Sequence, residues 1–225
     1  MRVIPRKARK ITYSTEIRNL KQRLTLNDYQ KAVVIGCLLG DGNLELNWSK
    51  TNYKLRFGHS VRQRDYLYWK YNLLRDWVLT KPRLNQKTKS LFFNTISHKE
   101  LSSLGELFYK GSKKILPGNF SEIIKNPVTL AVWFMDDGNV IRRNDRVYGF
   151  HLNTQSFSYQ ENSNIITALR NAYGLNWNIE KNKKSIALNL LIQSQDKTLN
   201  DKEIDELSNK IIQTMQKSFD ATLRS

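Results

Sequence analysis

The chain has 225 residues, with 37 Lys or Arg against 20 Asp or Glu, so its formal net charge is +17. A globular chain this basic typically binds a polyanion, and nucleic acid is the first expectation. The hydrophobic content of 40% and aromatic content of 11% exclude a disordered chain and suffice for a core. The single cysteine excludes a disulfide framework and a cysteine-based zinc site.

The N-terminal segment is basic, but no apolar core follows it, so it is not a secretory signal. It is either a transit peptide or a basic arm, and we favour the arm and assign it residues 1–23. The longest apolar run, residues 32–39, is too short to span a bilayer. We therefore expect an intracellular protein with no membrane partner, in an organelle (mitochondrion or chloroplast) or the bacterial cytoplasm, and not a secreted one.

The first strong element is a short apolar helix that ends in Asp-Gly. Asn27 suits the N-cap position, and Asp28 lies in the positive first turn. Apolar residues run from 32 to 39, and two glycines end the helix, with Asp41 between them. Because the helix is apolar on nearly every side, we expect it to be buried.

The elements that follow this helix are read from periodicity. Alternating apolar and basic residues at 53–57 predict a half-buried strand. Residues 65–78 predict an amphipathic helix, a hairpin follows with strands at 83–86 and 91–97, and a closing helix spans about 99–109. The apolar face of the amphipathic helix comprises Leu67, Trp69, Leu73, Leu74 and Trp77.

A second helix of the same kind begins at Asn126, with Pro127 at the first helical position. Its apolar residues run from 128 to 135, Asp137 ends it, and Gly138 stops it. Like the first, it is expected to be buried.

The elements after the second helix repeat those after the first. A strand has Tyr148, Phe150 and Leu152 on one face. An amphipathic helix at 160–173 follows, then a hairpin with strands at 176–180 and 186–192 around a turn at 181–184, and a closing helix at about 204–216. The chain is therefore an internal duplication. We divide it into the arm (1–23), a first repeat (24–110), a linker (111–125) and a second repeat (126–225).

Asp41 and Asp137 are the main candidates for chemistry. An acid in the last turn of a helix lies at the negative end of the helix dipole, and two acids brought together repel each other. A bound divalent cation relieves both costs, and oxygen donors suit Mg²⁺ best, with Mn²⁺ or Ca²⁺ as alternatives. A single Asp-Gly is more often only a turn, but two in matched contexts favour metal. Gly40 and Asp136, which precede the two acids, are weaker metal candidates.

Paired carboxylates, a metal and a basic surface together suggest phosphodiester chemistry on nucleic acid. Basic side chains on the outer strand faces are the candidate DNA contacts, although a charge run is often only a solvated face. In the first half they are Lys54, Arg56, Arg62, Arg64, Arg83, Lys87 and Lys89; in the second they are Arg142, Arg143, Arg146, Lys181, Lys183 and Lys184. Amide side chains, which pair well with adenine, are Asn85, Asn153, Gln155 and Asn178.

Two lysines follow the closing helices of the halves, Lys114 in the first and Lys217 in the second. A lysine beside a scissile phosphate stabilises transition-state charge; the alternative is a surface lysine at a helix C-terminus. The five tryptophans are expected to belong to the core rather than to stack on bases.

The two motifs, residues 34–42 and 130–138, resemble the paired signature of the LAGLIDADG homing endonucleases in their single-chain, two-repeat form. The resemblance extends to residues 113–117 and 153–157. It implies an α+β fold in which two pseudo-symmetric αββαββα repeats pack through their motif helices and form antiparallel, DNA-binding saddle sheets.

The resemblance also implies roles for individual residues. Asp41 and Asp137 would be the catalytic metal ligands, and Lys114 and Lys217 the basic active-site residues. Arg56 falls at the strand position where the family usually carries an amide that helps to position water.

The function implied is that of a monomer that cuts both strands of double-stranded DNA at one long, rare site and requires Mg²⁺. Two alternatives remain at this point. One is an intron RNA maturase that serves as a splicing cofactor, and the other is a DNA-binding protein that does not cleave. Both motif acids are intact, which favours the enzyme.

Overall fold

The computed structural model describes residues 14–143, 146–179 and 187–191. It divides the chain into two compact units, Met1–Gly111 and Ser112–Ser225. Each unit contains one motif helix followed by a four-stranded antiparallel sheet. No helix within these described ranges is long and apolar enough to cross a membrane.

The first unit begins with a helix inside the segment that we assigned to the basic arm, and Ile17 of that helix is buried. Its sheet has the strand order β1-β2-β4-β3. The elements are α1 Thr15–Arg23, α2 Asp28–Leu39, β1 Asn43–Leu46, β2 Tyr53–Ser60, α3 Arg64–Leu73, β3 Arg83–Asn85, β4 Ser90–Asn94, α4 Lys99–Phe108 and the short β5 Tyr109–Lys110. Single 3₁₀ turns lie at Val61–Gln63 and Arg75–Trp77.

The second unit has the same strand order, β7-β8-β10-β9. Its elements are β6 Lys113–Lys114, α5 Phe120–Ile123, α6 Pro127–Asp137, β7 Gly138–Arg143, β8 Arg146–Asn153, α7 Tyr159–Tyr173, β9 Trp177–Ile179 and β10 Ala187–Leu191. Phe120 and Ile124, in the segment read as a linker, are both buried. The α+β class and the repeated order of elements are confirmed; the closing helix predicted at 204–216 lies outside the described residues.

The first motif helix, α2, begins where its sequence predicts. The Asn27 side chain accepts a hydrogen bond from the Gln30 amide (2.8 Å), and the Gln30 side chain accepts one from the Asn27 amide (3.2 Å). This reciprocal capping box satisfies two amides that the helix itself leaves without acceptors. Every residue from 32 to 39 is buried, so the predicted burial is confirmed.

The second motif helix, α6, is buried along one stripe only. Its predicted start is confirmed, because the Asn126 side chain caps the Val128 amide (3.0 Å) and Pro127 occupies the first turn. The buried stripe comprises Thr129, Val132, Trp133 and Asp136. These positions follow the i, i+3, i+4, i+7 spacing of an ordinary amphipathic helix. The apolar residues between them are half-buried, so the prediction of burial on nearly every side was wrong for this helix.

The predicted inner face of α3 needs a correction. The residues buried on α3 are Leu67, Lys70 and Tyr71, with Leu74 directly after the helix, whereas the predicted Trp69 and Leu73 are half-buried. The predicted apolar face did not include Lys70, which lies three residues after Leu67 on the buried side of the helix. Lys70 is in fact 0% exposed.

The tryptophan prediction was wrong at Trp48, which is 74% exposed in the turn between β1 and β2. That turn is stabilised by hydrogen bonds rather than by apolar packing, since the Asn47 side chain accepts from the Thr51 and Asn52 amides. Trp77, Trp133 and Trp177 are buried as predicted, and Trp69 is half-buried.

A β-bulge changes the facing of residues in β8. The pairing with β7 slips by one residue between Ile141, opposite Gly149, and Arg142, opposite Val147. Tyr148 is the extra residue and is 50% exposed, whereas Val147 is buried. The simple alternation predicted for this strand fails here because a bulge reverses which face a side chain occupies.

The N-terminus of α7 is tied to the segment that precedes α5. The Glu161 carboxylate accepts hydrogen bonds from the Ser158 amide (2.7 Å) and the Leu116 amide (2.8 Å), while the Glu161 amide donates to Ser158 Oγ. Burial raises the pKa of Glu161, but these hydrogen bonds and nearby Lys113 outweigh burial, so the pKa lies below its ordinary value.

We expect Glu161→Ala to lower the free energy of unfolding by about 1–2 kcal/mol, because one carboxylate caps α7 and anchors a second segment. Glu161→Gln should lose less at neutral pH, since an amide oxygen still accepts. Because the pKa of Glu161 is lower in the folded state, its ionised carboxylate stabilises the fold fully above the pKa of the unfolded state, near 4.3. The difference between wild type and Glu161→Gln should therefore disappear as the pH falls through the folded pKa. Urea unfolding at a series of pH values measures this difference, and a pH-independent difference would contradict the assignment.

Candidate functional site

Asp41 lies in the tight turn that joins α2 to β1. Gly40 caps the helix, with its amide donating to the Gly36 carbonyl, and the Gly42 amide donates to the Cys37 carbonyl at 2.6 Å. The Asp41 side chain is 49% exposed, and its Oδ2 lies 3.9 Å from Nδ1 of the buried His59. The buried helix thus ends in an accessible carboxylate.

Asp137 is the last residue of α6 and is half-buried. The Asn153 side chain, predicted to read DNA, donates to the Asp137 backbone carbonyl at 2.8 Å. That hydrogen bond holds the end of β8 against the end of the motif helix. Asp136, the weaker candidate, is buried in the helix stripe.

The glycine after each motif acid is required by space. A Cβ on Gly42 would lie 2.6 Å from the Cys37 carbonyl oxygen. A Cβ on Gly138 would collide with the ring and carbonyl of Phe134. In each unit the backbone therefore turns from helix to strand at a point where only glycine fits. This explains why a glycine follows each motif aspartate.

Of the two lysine candidates, only Lys114 lies in the part of the chain that the structure describes. Lys114 lies in β6 and is half-buried. Lys217 lies outside the described residues, as do Lys181, Lys183 and Lys184. Within the described ranges, no cluster of three or more His, Cys, Asp or Glu side chains is arranged to hold a metal ion.

The outer face of the first sheet carries the predicted basic residues. Arg56 and Arg83 are exposed, and Lys54 is half-buried beside them. Glu45 lies between the cations, 3.1 Å from Lys54 Nζ and 3.3 Å from Arg56 Nη1. Partial burial raises the pKa of Glu45, but Lys54 and Arg56 outweigh it, so the pKa lies below its ordinary value. Arg56, at the position where the resemblance implied a water-positioning residue, also lies over the Phe92 ring at 5.2 Å.

Apart from Asn85, which ends β3, the remaining DNA-contact candidates of the first unit lie beside the sheet rather than on it. Arg62 lies in the 3₁₀ turn, Arg64 begins α3, and all are exposed. The turn between β3 and β4 carries Lys87 and Lys89 and follows Asn85.

Among the DNA-contact candidates of the second unit whose side chains the structure describes, all are exposed except Asn153, which is half-buried. Arg142 lies on β7, Asn178 on β9, and Gln155 follows β8. Arg143 and Arg146 lie opposite each other at the ends of β7 and β8.

Sequence analysis missed two residues near Asp41, His59 and Lys70. His59 continues the inward alternation of Leu55 and Phe57 on β2, so period-two patterning would have predicted its burial. Lys70 follows Leu67 by three residues, which places both on one face of α3. The position of Lys70 on the helix is consistent with burial, but a lysine side chain is ordinarily exposed to solvent.

Comparison with known proteins identifies the family. Residues 31–199, well over half of the chain, match the sequence profile of the LAGLIDADG DNA endonuclease family. The chain belongs to this family.

The solved structure of a homing endonuclease is also similar in fold to this chain. The homing endonuclease I-WcaI, solved bound to its DNA recognition sequence, is 26% identical, with a TM-score of 0.69. The match covers 80% of this chain and 83% of I-WcaI.

Among sequence relatives, RecA of Mycolicibacterium flavescens is 39% identical over 50% of this chain and 26% of its own length. The DNA endonuclease I-ChuI of Chlamydomonas applanata is 26% identical over 70% of this chain and 79% of its own. The cytochrome b mRNA maturase bI2 of Saccharomyces cerevisiae is 27% identical over 68% of this chain and 38% of its own. The chain spans less than a third of the length of the first RecA relatives.

We expect Gly42→Ala to destabilise the first unit by roughly 1–3 kcal/mol, because the added Cβ would press on a backbone carbonyl that cannot move aside. Gly118→Ala is the matched control, since a Cβ there meets nothing within 4 Å. Its effect should stay within about 0.5 kcal/mol. Thermal unfolding of both variants measures the difference, and equal stabilities would show that the turn is not sterically restricted.

Proposed function

We propose that this chain is a site-specific DNA endonuclease that hydrolyses phosphodiester bonds in both strands of one long duplex site. The observation that carries the proposal is the repeated turn: in each unit a motif helix ends in an aspartate, and the following glycine is the only residue that the turn admits. The family membership and the fold similarity to I-WcaI support it.

We further propose that Asp41 and Asp137 hold hard divalent cations, with Mg²⁺ as the physiological ion and Mn²⁺ or Ca²⁺ as substitutes. The donors fit such ions, because both motifs offer carboxylate oxygens and Asp41 is half exposed to solvent. When bound, such an ion activates water and stabilises the leaving oxygen. Phosphate oxygens and water complete the coordination of an ion that few protein groups bind.

The chain's own side chains position the duplex and stabilise charge. The exposed arginines Arg56, Arg83 and Arg142 suit phosphate oxygens or guanine edges. Lys114 and Lys217 are proposed to stabilise the charge that develops on the scissile phosphates. One chain contains both motifs, so it is proposed to act as a monomer.

The test is cleavage of a randomised duplex library with Mg²⁺. One enriched target motif among the cut molecules, absent with a chelator, would support the proposal and deliver the target. Binding without any cutting would contradict it.

We expect Asp41→Asn and Asp137→Asn each to slow cleavage by roughly 100-fold or more, because loss of a carboxylate removes several kcal/mol of metal-mediated charge stabilisation. DNA binding in the absence of metal should change little. Single-turnover cleavage and a filter-binding assay separate the two effects, and a variant that cuts at the wild-type rate would remove that acid from the mechanism.

We expect Glu45→Gln to tighten DNA binding severalfold at low salt, because Glu45 competes with phosphate for Lys54 and Arg56. Glu122→Gln is the matched control: it makes the same charge change on α5, where an exposed Glu122 pairs with Lys125. Binding measured across a salt series should show a steeper slope for Glu45→Gln alone. An equal gain in both variants would show only a net-charge effect.

Similarity to the maturase bI2 favours a second candidate function, assistance of intron RNA splicing. A splicing assay on intron RNA distinguishes the two functions. Splicing that persists in Asp41→Asn would assign the chain both roles.

A further inference from the structure

Lys70 is a lysine with no exposed surface, and its amine contacts a histidine. Nζ of Lys70, on α3, lies 2.9 Å from Nε2 of His59, on β2. Both residues are buried. Burying a lysine is costly unless its surroundings compensate, so this arrangement requires a reason.

The aromatic rings around the amine offset part of the cost of burying a positive charge there. Nζ lies 4.1 Å from the centre of the Tyr66 ring and 5.5 Å from that of Phe57. Aromatic faces attract an ammonium group within about 6 Å, most strongly where water is excluded. The His59 ring also packs against Tyr66, with centroids 5.1 Å apart.

An ammonium group that donates to Nε2 decides where the histidine proton lies. Nε2 can accept that bond only when it carries no proton, so the neutral ring keeps its proton on Nδ1. Nδ1 is the atom that faces Asp41, 3.9 Å from Oδ2. That separation is an electrostatic contact rather than a hydrogen bond, and a small rotation of the half-exposed Asp41 side chain would close it.

The second unit does not repeat this arrangement. In the first sheet Arg56 pairs with Asn43, and in the second sheet His151 pairs with Asn139 at the corresponding position. His59 lies three residues after Arg56, and Thr154 lies three residues after His151. Thr154 is therefore the counterpart of His59. Thr154 is buried and contacts Asn162. The buried counterpart of Lys70 is Ile165. The lysine–histidine pair therefore distinguishes the first unit from the second.

We propose that His59 and Lys70 are positioning residues for Asp41. Lys70 fixes the tautomer of His59, and the resulting Nδ1–H holds one carboxylate oxygen of Asp41 so that the other is directed at the metal. This inference rests on the proposed role of Asp41 as a metal ligand. Groups that orient a ligating side chain typically change metal affinity or activity by 10–100-fold.

The sign of the effect separates positioning from simple charge. A buried positive charge near a metal repels the cation, so its removal alone would tighten metal binding. Loss of positioning would weaken it. Lys70→Met keeps the length of the side chain and removes the buried charge, but it also leaves His59 Nε2 without its donor, so the melting temperature of the variant is measured beside its Ca²⁺ binding.

The first measurement is ¹⁵N NMR of the histidine rings in the wild-type protein, which contains three histidines. The spectrum of His59→Leu assigns the His59 signals. We expect the proton of His59 on Nδ1 in wild type, and a mixture of tautomers in Lys70→Met. A proton on Nε2 in wild type would overturn the proposal.

The second measurement is calorimetric titration of Ca²⁺ into the protein bound to the duplex recovered from the library. Lys70→Met and His59→Leu should each weaken Ca²⁺ binding about tenfold, and the double variant should lose little more, because the two residues act in series. Lys21→Met is the matched control: Lys21 lies partly buried on α1 and donates to Ser97 Oγ, and its removal should leave Ca²⁺ binding unchanged.

The possible outcomes distinguish failure of the positioning role from failure of the proposed endonuclease function. Unchanged or tighter Ca²⁺ binding in both variants, beside a wild type that cuts DNA, would overturn the positioning role alone. A wild type that neither binds Ca²⁺ nor cuts would overturn the proposed function and this role together. A tenfold loss in the variants with an unchanged melting temperature supports the proposal, because a merely structural role would act through stability.

Discussion

The constraint on which the rest of each unit depends is the absence of space beside the motif glycine. Three residues join the motif helix to the first strand in the first unit, and in the second unit the strand follows the helix directly. The Gly42 amide reaches back to the Cys37 carbonyl. A residue with a side chain would separate the helix end from the strand. Because the contact is so close, the preceding aspartate is directed away from the core and the start of the sheet is fixed relative to it.

Much of this arrangement could be predicted from the sequence, because its signals are local. The N-caps Asn27 and Asn126, the apolar runs and the glycine stops each follow from chemistry within one turn of helix. The repeat itself indicated that the elements of the first half recur in the same chain order in the second. The candidate acids were identified for the same reason, since each lies at the end of a helix whose boundaries were already clear.

The parts that could not be predicted depend on contacts distant in sequence. Lys70 is buried because rings from β2 and α3 surround its amine, and nothing in its own helix indicates this. Trp48 is exposed because side-chain hydrogen bonds of Asn47 build the turn that carries it. Asn153 was read as a base-contacting residue, but its amide bonds to a backbone carbonyl sixteen positions earlier in the chain. Composition and periodicity predict which faces of the helices and strands are apolar. These contacts depend instead on which polar groups lie close together in the folded chain.

The bulge at Tyr148 has an evolutionary consequence for the duplicated chain. Between Ile141 and Arg142 the second sheet shifts its register by one residue, and no register shift interrupts the β1–β2 pairing of the first. Beyond that point, positions that correspond in the two repeats no longer present their side chains to the same face. Mutations beyond the bulge therefore have no direct equivalent in the first sheet, whereas positions before it keep the same register in both sheets. On the proposed function, the two halves can diverge in the sequences that they read, and the target is expected to lack two-fold symmetry.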